Sequence, residues 1–337
     1  MTNPATASQP DLGFVLRSMN SYQVTMALKG AIELDVFTHI AAGAKSAEEI
    51  AKRCQASEKG TRVLCDYLTI QGFLTKQDGA YGLSPESALF LDKASPAYMG
   101  STAMFLTHPS LLAHYSDVAA IVRKGGALSA ATLAPDAEVW VEFARSMAPM
   151  MSMPAQMIAP QVTTPGQPVK VLDIAAGHGV YGIFVAKHNP AAQVVGQDWD
   201  NVLEVARENA QKMGVADRYS TIAGSAFDVD LGTGYDVVLV PNFLHHFDVP
   251  TNVKLLKKIR AAMKPSGMVA TVEFVPNEDR VTPPLAAAFA MQMLGGTEAG
   301  DAYTFAELDK MFRDAGFGAS EIRSLTPAPS SLILTKY

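Results

Sequence analysis

Hydrophobic residues follow a helical spacing through the first hundred positions of the chain. The stretch "SYQVTMALKGAIELDVFTHIA" places apolar residues from Met26 to Phe37 every third or fourth position, which is typical of an amphipathic helix. "SAEEIAKRC" begins with Ser46 and Glu49 at the spacing of a capping box, and "EKGTRVLCDYLTIQ" predicts a further short helix. This part of the sequence therefore predicts several packed helices.

A hairpin is predicted directly after these helices. "GFLTKQDGAYGLS" alternates apolar and polar residues around Asp78 and Gly79, a dipeptide that favours a tight turn between two strands. Apart from this hairpin the segment is all helical, and helices followed by a hairpin are typical of a winged helix. From about residue 95 to 160 the pattern is helical again, with methionines clustered in "WVEFARSMAPMMSMPAQMIA".

The periodicity changes after the linker "TTPGQP" at 163–168, where short apolar runs begin to alternate with amphipathic stretches. The predicted strands cover 170–175, 192–198, 219–224, 235–241 and 268–275, and the predicted helices lie near 180–189, 201–213, 251–264 and 283–294. This alternation predicts an α/β fold with a doubly wound parallel sheet. Two last runs, 319–325 and 330–337, predict a terminal hairpin that adds an antiparallel strand.

A length of 337 residues exceeds one typical hydrophobic core, so more than one domain is expected. The changes of pattern predict three parts: a helical N-terminal domain over 1–95, a helical connector over 96–165 and the α/β domain over 166–337.

Composition and charge narrow the range of partners. The net charge of −6 and a pI near 5.7 provide no attraction for phosphate backbones, so nucleic acid is not expected as a partner. Apolar stretches end before the ~20 residues that a membrane span needs, and "MTNPATASQP" is expected to be a frayed tail rather than a secretory signal. Cys54 and Cys65 lack metal-binding spacing, which predicts reduced thiols, no bound metal and a cytoplasmic location.

A glycine-rich loop follows the first predicted strand of the α/β domain. In "VLDIAAGHGVYG", Gly177, Gly179 and Gly182 form G-x-G-x-x-G, and Asp198 ends the second strand 21 residues after Gly177. A carboxylate at that position can accept hydrogen bonds from both ribose hydroxyls. The motif suits NAD and S-adenosylmethionine alike, and on its own it could also be no more than a tight turn.

Asp173 favours S-adenosylmethionine over NAD. An acid at the end of the first strand would repel a pyrophosphate but suits a cofactor that carries an ammonium and a sulfonium. The antiparallel terminal strand points the same way, because it is characteristic of class I methyltransferases rather than of dehydrogenases.

Candidate catalytic residues lie at the carboxyl ends of two neighbouring strands. His245 follows the fourth strand in "PNFLHHFD", and Glu273 ends the fifth. A carboxylate there could bind one ring nitrogen of the histidine and leave the other as a base. Glu298, in the next loop, could approach the histidine from the other side.

Taken together, these motifs resemble those of the small-molecule O-methyltransferase family that includes the plant caffeic acid type and its bacterial natural-product relatives. "LHHFD" is similar to the family's H-D-W-S-D segment, "VLDIAAGHG" to its D-V-G-G-G-x-G loop and "GQDWDNV" to its F-D-L-P segment. The resemblance covers the whole chain. It implies an N-terminal winged-helix dimerisation domain and a C-terminal Rossmann-like methyltransferase domain that binds S-adenosylmethionine.

The resemblance also implies a reaction and a site. A methyl group would pass from S-adenosyl-L-methionine to a hydroxyl oxygen of a small phenolic or polyketide-like aromatic acceptor, leaving S-adenosyl-L-homocysteine. His245 would be the general base, flanked by Glu273 and Glu298. The implied cofactor residues are Asp173, Ala175, Gly177, Gly179, Asp198, Trp199, Ser225, Ala226, Phe227 and Asn242. The implied acceptor residues are His108, Phe143, Met147, Met150, His246, Phe289 and Met293.

Three further expectations follow from the comparison with the family pattern. The partner subunit of a homodimer would bury the apolar stripe from Met26 to Phe37. Ala175 and Ala176 stand where the family has glycines, which is tolerable if the backbone there needs no positive φ. Ser225 stands where an acid would bind the adenine edge.

Two alternative functions stay open at this point. Related enzymes methylate carbon, for instance beside a keto group, and some bind a metal here; His245, His246 and Asp248 would be the candidate ligands for a metal-assisted C-methyltransferase acting on a keto acid. A regulator that binds DNA through the winged helix and senses a ligand in the α/β domain is the other alternative, although the acidic balance disfavours it.

Overall fold

Helices and one hairpin form the N-terminal unit, Met1–Thr107, of the computed structural model, which describes residues 10–129 and 138–337. The predicted N-terminal tail lies almost wholly outside the described residues. In chain order the elements are α1 (Leu12–Met19), α2 (Ser21–Glu33), α3 (Val36–Ala41), α4 (Ala47–Cys54), α5 (Glu58–Ile70), β1 (Leu74–Gln77), β2 (Ala80–Leu83), α6 (Pro85–Phe90) and α7 (Thr102–Leu106).

The local predictions for this unit are confirmed. Ser46 Oγ accepts a hydrogen bond from the Glu49 backbone N–H at 3.1 Å, and Glu49 Oε2 accepts one from the Ser46 N–H, which completes the capping box. Strands β1 and β2 pair antiparallel around Asp78 and Gly79, both of which have positive φ. The winged-helix interpretation of these elements stays a prediction.

The predicted burial of the Met26–Phe37 stripe by a partner is wrong for its C-terminal half. Ile32, Val36 and Phe37 are buried in the core of their own unit. Much of the exposed apolar surface of this unit lies on α1, where no residue is buried and Phe14 is 65% exposed, while Met26 at the start of the stripe is 39% exposed. Helical spacing shows which residues share a face, but it does not show which neighbour covers that face.

The C-terminal unit, His108–Tyr337, contains the α/β fold. Its helices are α8 (Pro109–Ala113), α9 (Val118–Lys124), α10 (Glu138–Val162), α11 (Val180–His188), α12 (Asp200–Lys212), α13 (Val249–Ala262), α14 (Pro284–Gly296) and α15 (Phe305–Asp314), with short 3₁₀ turns at Ala216–Arg218 and Leu244–His246. Its strands are β3 (Val169–Ile174), β4 (Ala192–Asp198), β5 (Tyr219–Ala223), β6 (Tyr235–Pro241), β7 (Met263–Glu273), β8 (Ser320–Ser324) and β9 (Ser331–Lys336).

The strands form one sheet in the order β5-β4-β3-β6-β7-β9-β8. β3 to β7 are parallel, whereas β9 pairs antiparallel with both β7 and β8. The predicted doubly wound sheet with an antiparallel terminal hairpin is therefore confirmed. The central strands are apolar on both faces, as strands covered by helices on both sides are. Because the strand order reverses between β3 and β6, a crevice is expected at their carboxyl ends.

The structural boundary between the two units falls between Thr107 and His108. The segment predicted as a connector, 96–165, is thus divided between them, and the three-part division stays a prediction. In the described part of the chain, none of the helices combines the length and the apolar character that crossing a membrane requires.

The glycine-rich loop between β3 and α11 contains several left-handed residues. Gly177 and Gly179 have φ values of +57° and +73°, and Ala175 has φ +51°. The condition for an unstrained alanine, a backbone without positive φ, is therefore not met at Ala175 but is met at Ala176. The Ala176 N–H donates to the Gln197 carbonyl at 2.9 Å, which ties this loop to the end of β4.

We predict that Ala175→Gly raises the free energy of unfolding by about 0.5 kcal/mol. Left-handed φ costs an L-residue roughly 1 kcal/mol, and the larger entropy of unfolded glycine offsets part of that gain. Ala176→Gly, the matched control at a buried position without positive φ, should lower the free energy of unfolding. Urea denaturation followed by circular dichroism measures both variants. Equal destabilisation by the two substitutions would contradict the strain at Ala175.

Candidate active site

A cavity of about 260 Å³ opens at the carboxyl ends of the parallel strands. The loops after β3, β4, β5 and β6 and one face of α10 contribute its walls. The lining residues are Trp140, Phe143, Ala175, Gly177, Gln197, Asp198, Trp199, Val202, Gly224, Ser225, Ala226, Phe227, Asn242, Phe243, His246 and Phe247. This is the position at which ligands bind in open α/β sheets.

Asp198 contributes a carboxylate to the cavity at the end of β4. Its Oδ2 accepts a hydrogen bond from the Gly177 N–H at 2.8 Å, and its Oδ1 accepts one from the Trp199 N–H at 2.7 Å. Burial raises the pKa of this carboxyl group to about 6, although the two N–H donors oppose the shift. The glycine-rich loop is thereby held against the acid that was predicted to bind ribose.

Aromatic rings form much of the remaining wall. Phe227 lies edge-on to Phe247 with centroids 5.0 Å apart, and Phe243 lies edge-on to Phe247 at 5.1 Å. Trp140 of α10 contacts Phe143 and His246 edge-on. Ser225 Oγ accepts a hydrogen bond from the Phe227 N–H at 3.2 Å, which shapes the loop after β5. These rings offer flat apolar surfaces for a heteroaromatic ligand.

His245 and Glu273 form a buried pair between β6 and β7. The His245 Nδ1 lies 2.6 Å from Glu273 Oε2, and the two side chains are 6% and 3% exposed. Glu273 Oε1 also accepts hydrogen bonds from the backbone N–H groups of Phe243 and His245, at 3.0 and 3.4 Å. The predicted pairing of this histidine with the acid that ends β7 is therefore present. Phe289 of α14 packs edge-on against the His245 ring at 4.8 Å.

His246 is a half-buried imidazole in the cavity wall. Burial first, and then the neighbouring His245, hold its pKa well below the usual range. Its Nδ1 has no hydrogen-bond partner among the described residues. Within that part of the chain no cluster of three histidine, cysteine or acidic side chains could hold a metal ion.

The structure does not bring every predicted acid into the cavity. Asp173 is fully buried, accepts a hydrogen bond from the Gly182 N–H at 3.0 Å, and does not belong to the cavity lining. Burial raises its pKa well above the ordinary value. The expected direct contact between Asp173 and the cofactor has no support in this geometry. Glu298 is exposed, whereas the acid paired with the buried His245 is Glu273, so the geometry does not support Glu298 as a second acid.

Some of the predicted acceptor residues lie at the cavity or contact His245, and the others lie elsewhere. Phe143 and His246 line the cavity, and Phe289 contacts His245. Met147 and Met293 are buried, Met150 is half-buried, and His108 accepts a hydrogen bond from the Ser110 N–H at the start of α8. Among the cofactor residues, Gly179 lies at the start of α11 outside the lining, where an added Cβ would approach Ala206.

Sequence reasoning missed several lining residues. Trp140, Gln197, Phe243 and Phe247 all lie in the wall, and three of them directly precede or follow predicted site residues. Their position in the sequence beside predicted site residues could have identified these three, because residues next to the carboxyl end of a strand lie at the edge where ligands bind.

Two family models match the chain, one in each of its two parts. Residues 16–93 match the model of the O-methyltransferase dimerisation domain, and residues 124–318 match that of the O-methyltransferase domain. The 3-hydroxy-5-methyl-1-naphthoate 3-O-methyltransferase of Streptomyces sahachiroi is 28% identical over 307 residues, which cover 89% of this chain and 87% of the relative.

Two solved structures match the fold of almost the whole chain. The crystal structure of a candidate O-methyltransferase from Nostoc punctiforme has a TM-score of 0.94 and 50% identity, covering 98% of this chain and 100% of that one. Human N-acetylserotonin methyltransferase in complex with S-adenosylmethionine has a TM-score of 0.84 at 22% identity, covering 98% and 99% of the two chains.

The sheet, the glycine-rich loop and the acid on β4 define the chain as an S-adenosylmethionine-dependent methyltransferase. More specifically, it belongs to the O-methyltransferase family that carries a separate dimerisation domain, which supports a homodimer. The residues present fit the cofactor. Asp198 has a carboxylate that could accept hydrogen bonds from ribose hydroxyls, the aromatic wall suits adenine, and the unpartnered Asn242 Oδ1 could be a second acceptor.

We predict that affinity for S-adenosylhomocysteine decreases as the pH falls through about 6. The protonated Asp198 predominates below its raised pKa and is a poorer acceptor for ribose hydroxyls, so affinity should fall by up to tenfold per pH unit. Titration calorimetry between pH 5 and 8 measures this. Burial lowers the pKa of His178 to about 4, below this range, and burial together with the neighbouring His245 holds the pKa of His246 well below its ordinary value.

Asp198→Asn is the matched control, since it removes the titrating group. It should bind weakly, with a flat pH profile. A wild-type affinity that is constant from pH 5 to 8 would contradict the assignment of Asp198.

Proposed function

We propose that this enzyme methylates a hydroxyl oxygen of a small aromatic acceptor, with His245 as the general base. The observation that carries the proposal is the buried hydrogen bond between His245 Nδ1 and Glu273 Oε2 at the carboxyl edge of the sheet. When bound, S-adenosylmethionine supplies an electrophilic methyl group on its sulfonium. Asp198, the glycine-rich loop and the aromatic wall would hold this cofactor.

Glu273 determines which nitrogen of His245 can act. A carboxylate 2.6 Å from Nδ1 favours the tautomer with the proton on Nδ1, which leaves Nε2 as an acceptor. A phenol has a pKa near 10, so at neutral pH it reacts efficiently only if a base removes its proton during attack. Nε2 would take that proton, and Glu273 would stabilise the resulting imidazolium.

Aromatic rings around His245 support a flat acceptor. Phe289 contacts the histidine ring edge-on and stacks on Phe274 at a centroid distance of 4.2 Å. Several relatives carry aromatic acceptors in their names, such as the naphthoate enzyme above and a phenazine O-methyltransferase of Lysobacter antibioticus. Arg145 lies between the predicted acceptor residues Phe143 and Met147 in the sequence. Its side chain is exposed and forms a bidentate ion pair with Glu208 at 3.0 and 3.1 Å.

We also assign the protein to the cytoplasm. Cys54 and Cys65 are both free thiols, which suits a reducing environment.

We predict that His245→Gln lowers kcat by about 10²–10⁴-fold, the usual contribution of a general base, while the dissociation constant for S-adenosylhomocysteine changes less than threefold. Glu273→Gln should lower kcat at least tenfold, since an amide can donate to Nδ1 and impose the wrong tautomer. Glu298→Gln is the control for an exposed acid of the same type, with kcat unchanged within twofold. Steady-state kinetics and calorimetry measure these effects, and undiminished turnover by His245→Gln would overturn the role of His245.

We predict that phenols and naphthols are methylated on oxygen and that keto acids give no product. Purified enzyme with methyl-labelled S-adenosylmethionine is offered both classes, and mass spectrometry with NMR locates the methyl group. Adding a chelator should leave the rate unchanged. Carbon methylation of a keto acid, or a rate that a chelator abolishes, would replace this proposal with the C-methyltransferase alternative.

A further inference from the structure

Asn242 occupies an unusual position directly after β6. Its backbone is left-handed with φ +52°, and its side chain lines the cavity. The side-chain nitrogen Nδ2 donates to the Tyr181 hydroxyl at 3.4 Å and contacts Met151 Sδ at 3.5 Å. The side-chain oxygen Oδ1 is buried and has no hydrogen-bond partner within the described residues. A buried acceptor of this kind destabilises the protein unless a ligand satisfies it.

Tyr181 and Met151 fix the orientation of this amide. Tyr181 lies on α11 and is 1% exposed, and its hydroxyl contacts Met151 Sδ at 3.7 Å. Met151 lies on α10 and is 6% exposed. The Asn242 nitrogen, the Tyr181 hydroxyl and the Met151 sulfur thus contact one another in pairs. The amide oxygen is left as the group that can accept from a ligand.

The order of strands indicates which part of the cofactor reaches Asn242. Asp198 at the end of β4 suits the ribose, and the loop with Ser225 after β5 suits the adenine on one side of it. The methionine part would then extend the other way, across the ends of β3 and β6. Asn242 follows β6 at this edge, three residues before His245, and lines the cavity. In the methionine part, the ammonium carries the N–H groups that can donate to an amide oxygen.

We propose that Asn242 Oδ1 accepts a hydrogen bond from the ammonium group of S-adenosylmethionine, and that Tyr181 and Met151 are positioning residues that hold the amide in this orientation. The proposal depends on cofactor binding and not on the role of His245, so the two can fail independently.

Three ligands isolate the amino-acid end of the cofactor. S-adenosylmethionine and S-adenosylhomocysteine carry the ammonium, whereas 5′-deoxy-5′-methylthioadenosine keeps the adenosine and sulfur but lacks the amino acid. Calorimetry measures their dissociation constants with each variant of the full chain. A residue with a merely structural role would affect all three ligands, whereas an ammonium contact affects only the first two.

Asn242→Gly is the appropriate truncation because glycine adopts the left-handed backbone freely. It should weaken S-adenosylmethionine and S-adenosylhomocysteine about tenfold or more, the usual effect of losing a hydrogen bond to a charged group, and change methylthioadenosine less than twofold. Tyr181→Phe should weaken the same two ligands about three- to fivefold. Asn242→Asp, which tolerates this backbone and keeps the acceptor, should bind both at least as tightly as the wild type.

Tyr219→Phe is the matched control, since the Tyr219 hydroxyl is buried and has no hydrogen-bond partner in the described part of the chain. It should change none of the three dissociation constants more than twofold. Three results would overturn the proposal: equal weakening of all three ligands by Asn242→Gly, no weakening of any, or weakening of both ammonium ligands by Asn242→Asp. The last result would mean that the amide nitrogen faces the ligand.

Discussion

The buried carboxylate of Glu273 is the interaction on which the acceptor side of the site depends. Its two oxygens accept from the backbone N–H groups of Phe243 and His245 and bind His245 Nδ1. One side chain at the end of β7 thus fixes both the turn after β6 and the ring of the proposed base. Without it, two backbone donors and a histidine would lie buried without a partner, which costs more free energy than a hydrogen bond normally contributes.

On the cofactor side of the cavity a different acid, Asp198, holds the backbone in place. Asp198 joins the end of β4 to the glycine-rich loop through the Gly177 N–H, and its desolvation in a closed site is an unfavourable term in the free energy of folding. Asp173 is buried beneath the same loop and raises this cost further. A desolvated carboxylate and an unpartnered amide oxygen in the lining of one cavity indicate a site that a ligand with hydrogen-bond donors completes.

The sequence was most informative where a physical constraint is local. Short apolar runs between amphipathic stretches predicted the bounds of the strands from 170 to 241 within a residue or two. Strands that are buried on both faces consist of such continuous apolar runs. The start of β7 at Met263 was missed because a bulge opposite Tyr235 and Val237 extends the strand through polar residues. The pairing of His245 with Glu273 was predictable, since carboxyl ends of neighbouring parallel strands share one edge. Burial of Asp173, exposure of Glu298 and the left-handed backbone of Ala175 depend on three-dimensional packing that spacing does not encode.

A crystal structure with S-adenosylhomocysteine and a phenolic acceptor would show whether the ends of β6 and β7 place a base and an amide oxygen on either side of the reacting sulfur. We expect His245 Nε2 within hydrogen-bond distance of the acceptor oxygen, with Nδ1 still on Glu273, and Asn242 Oδ1 on the ligand ammonium. An acceptor oxygen bound elsewhere, with His245 Nε2 directed away from it, would show that His245 is not the base.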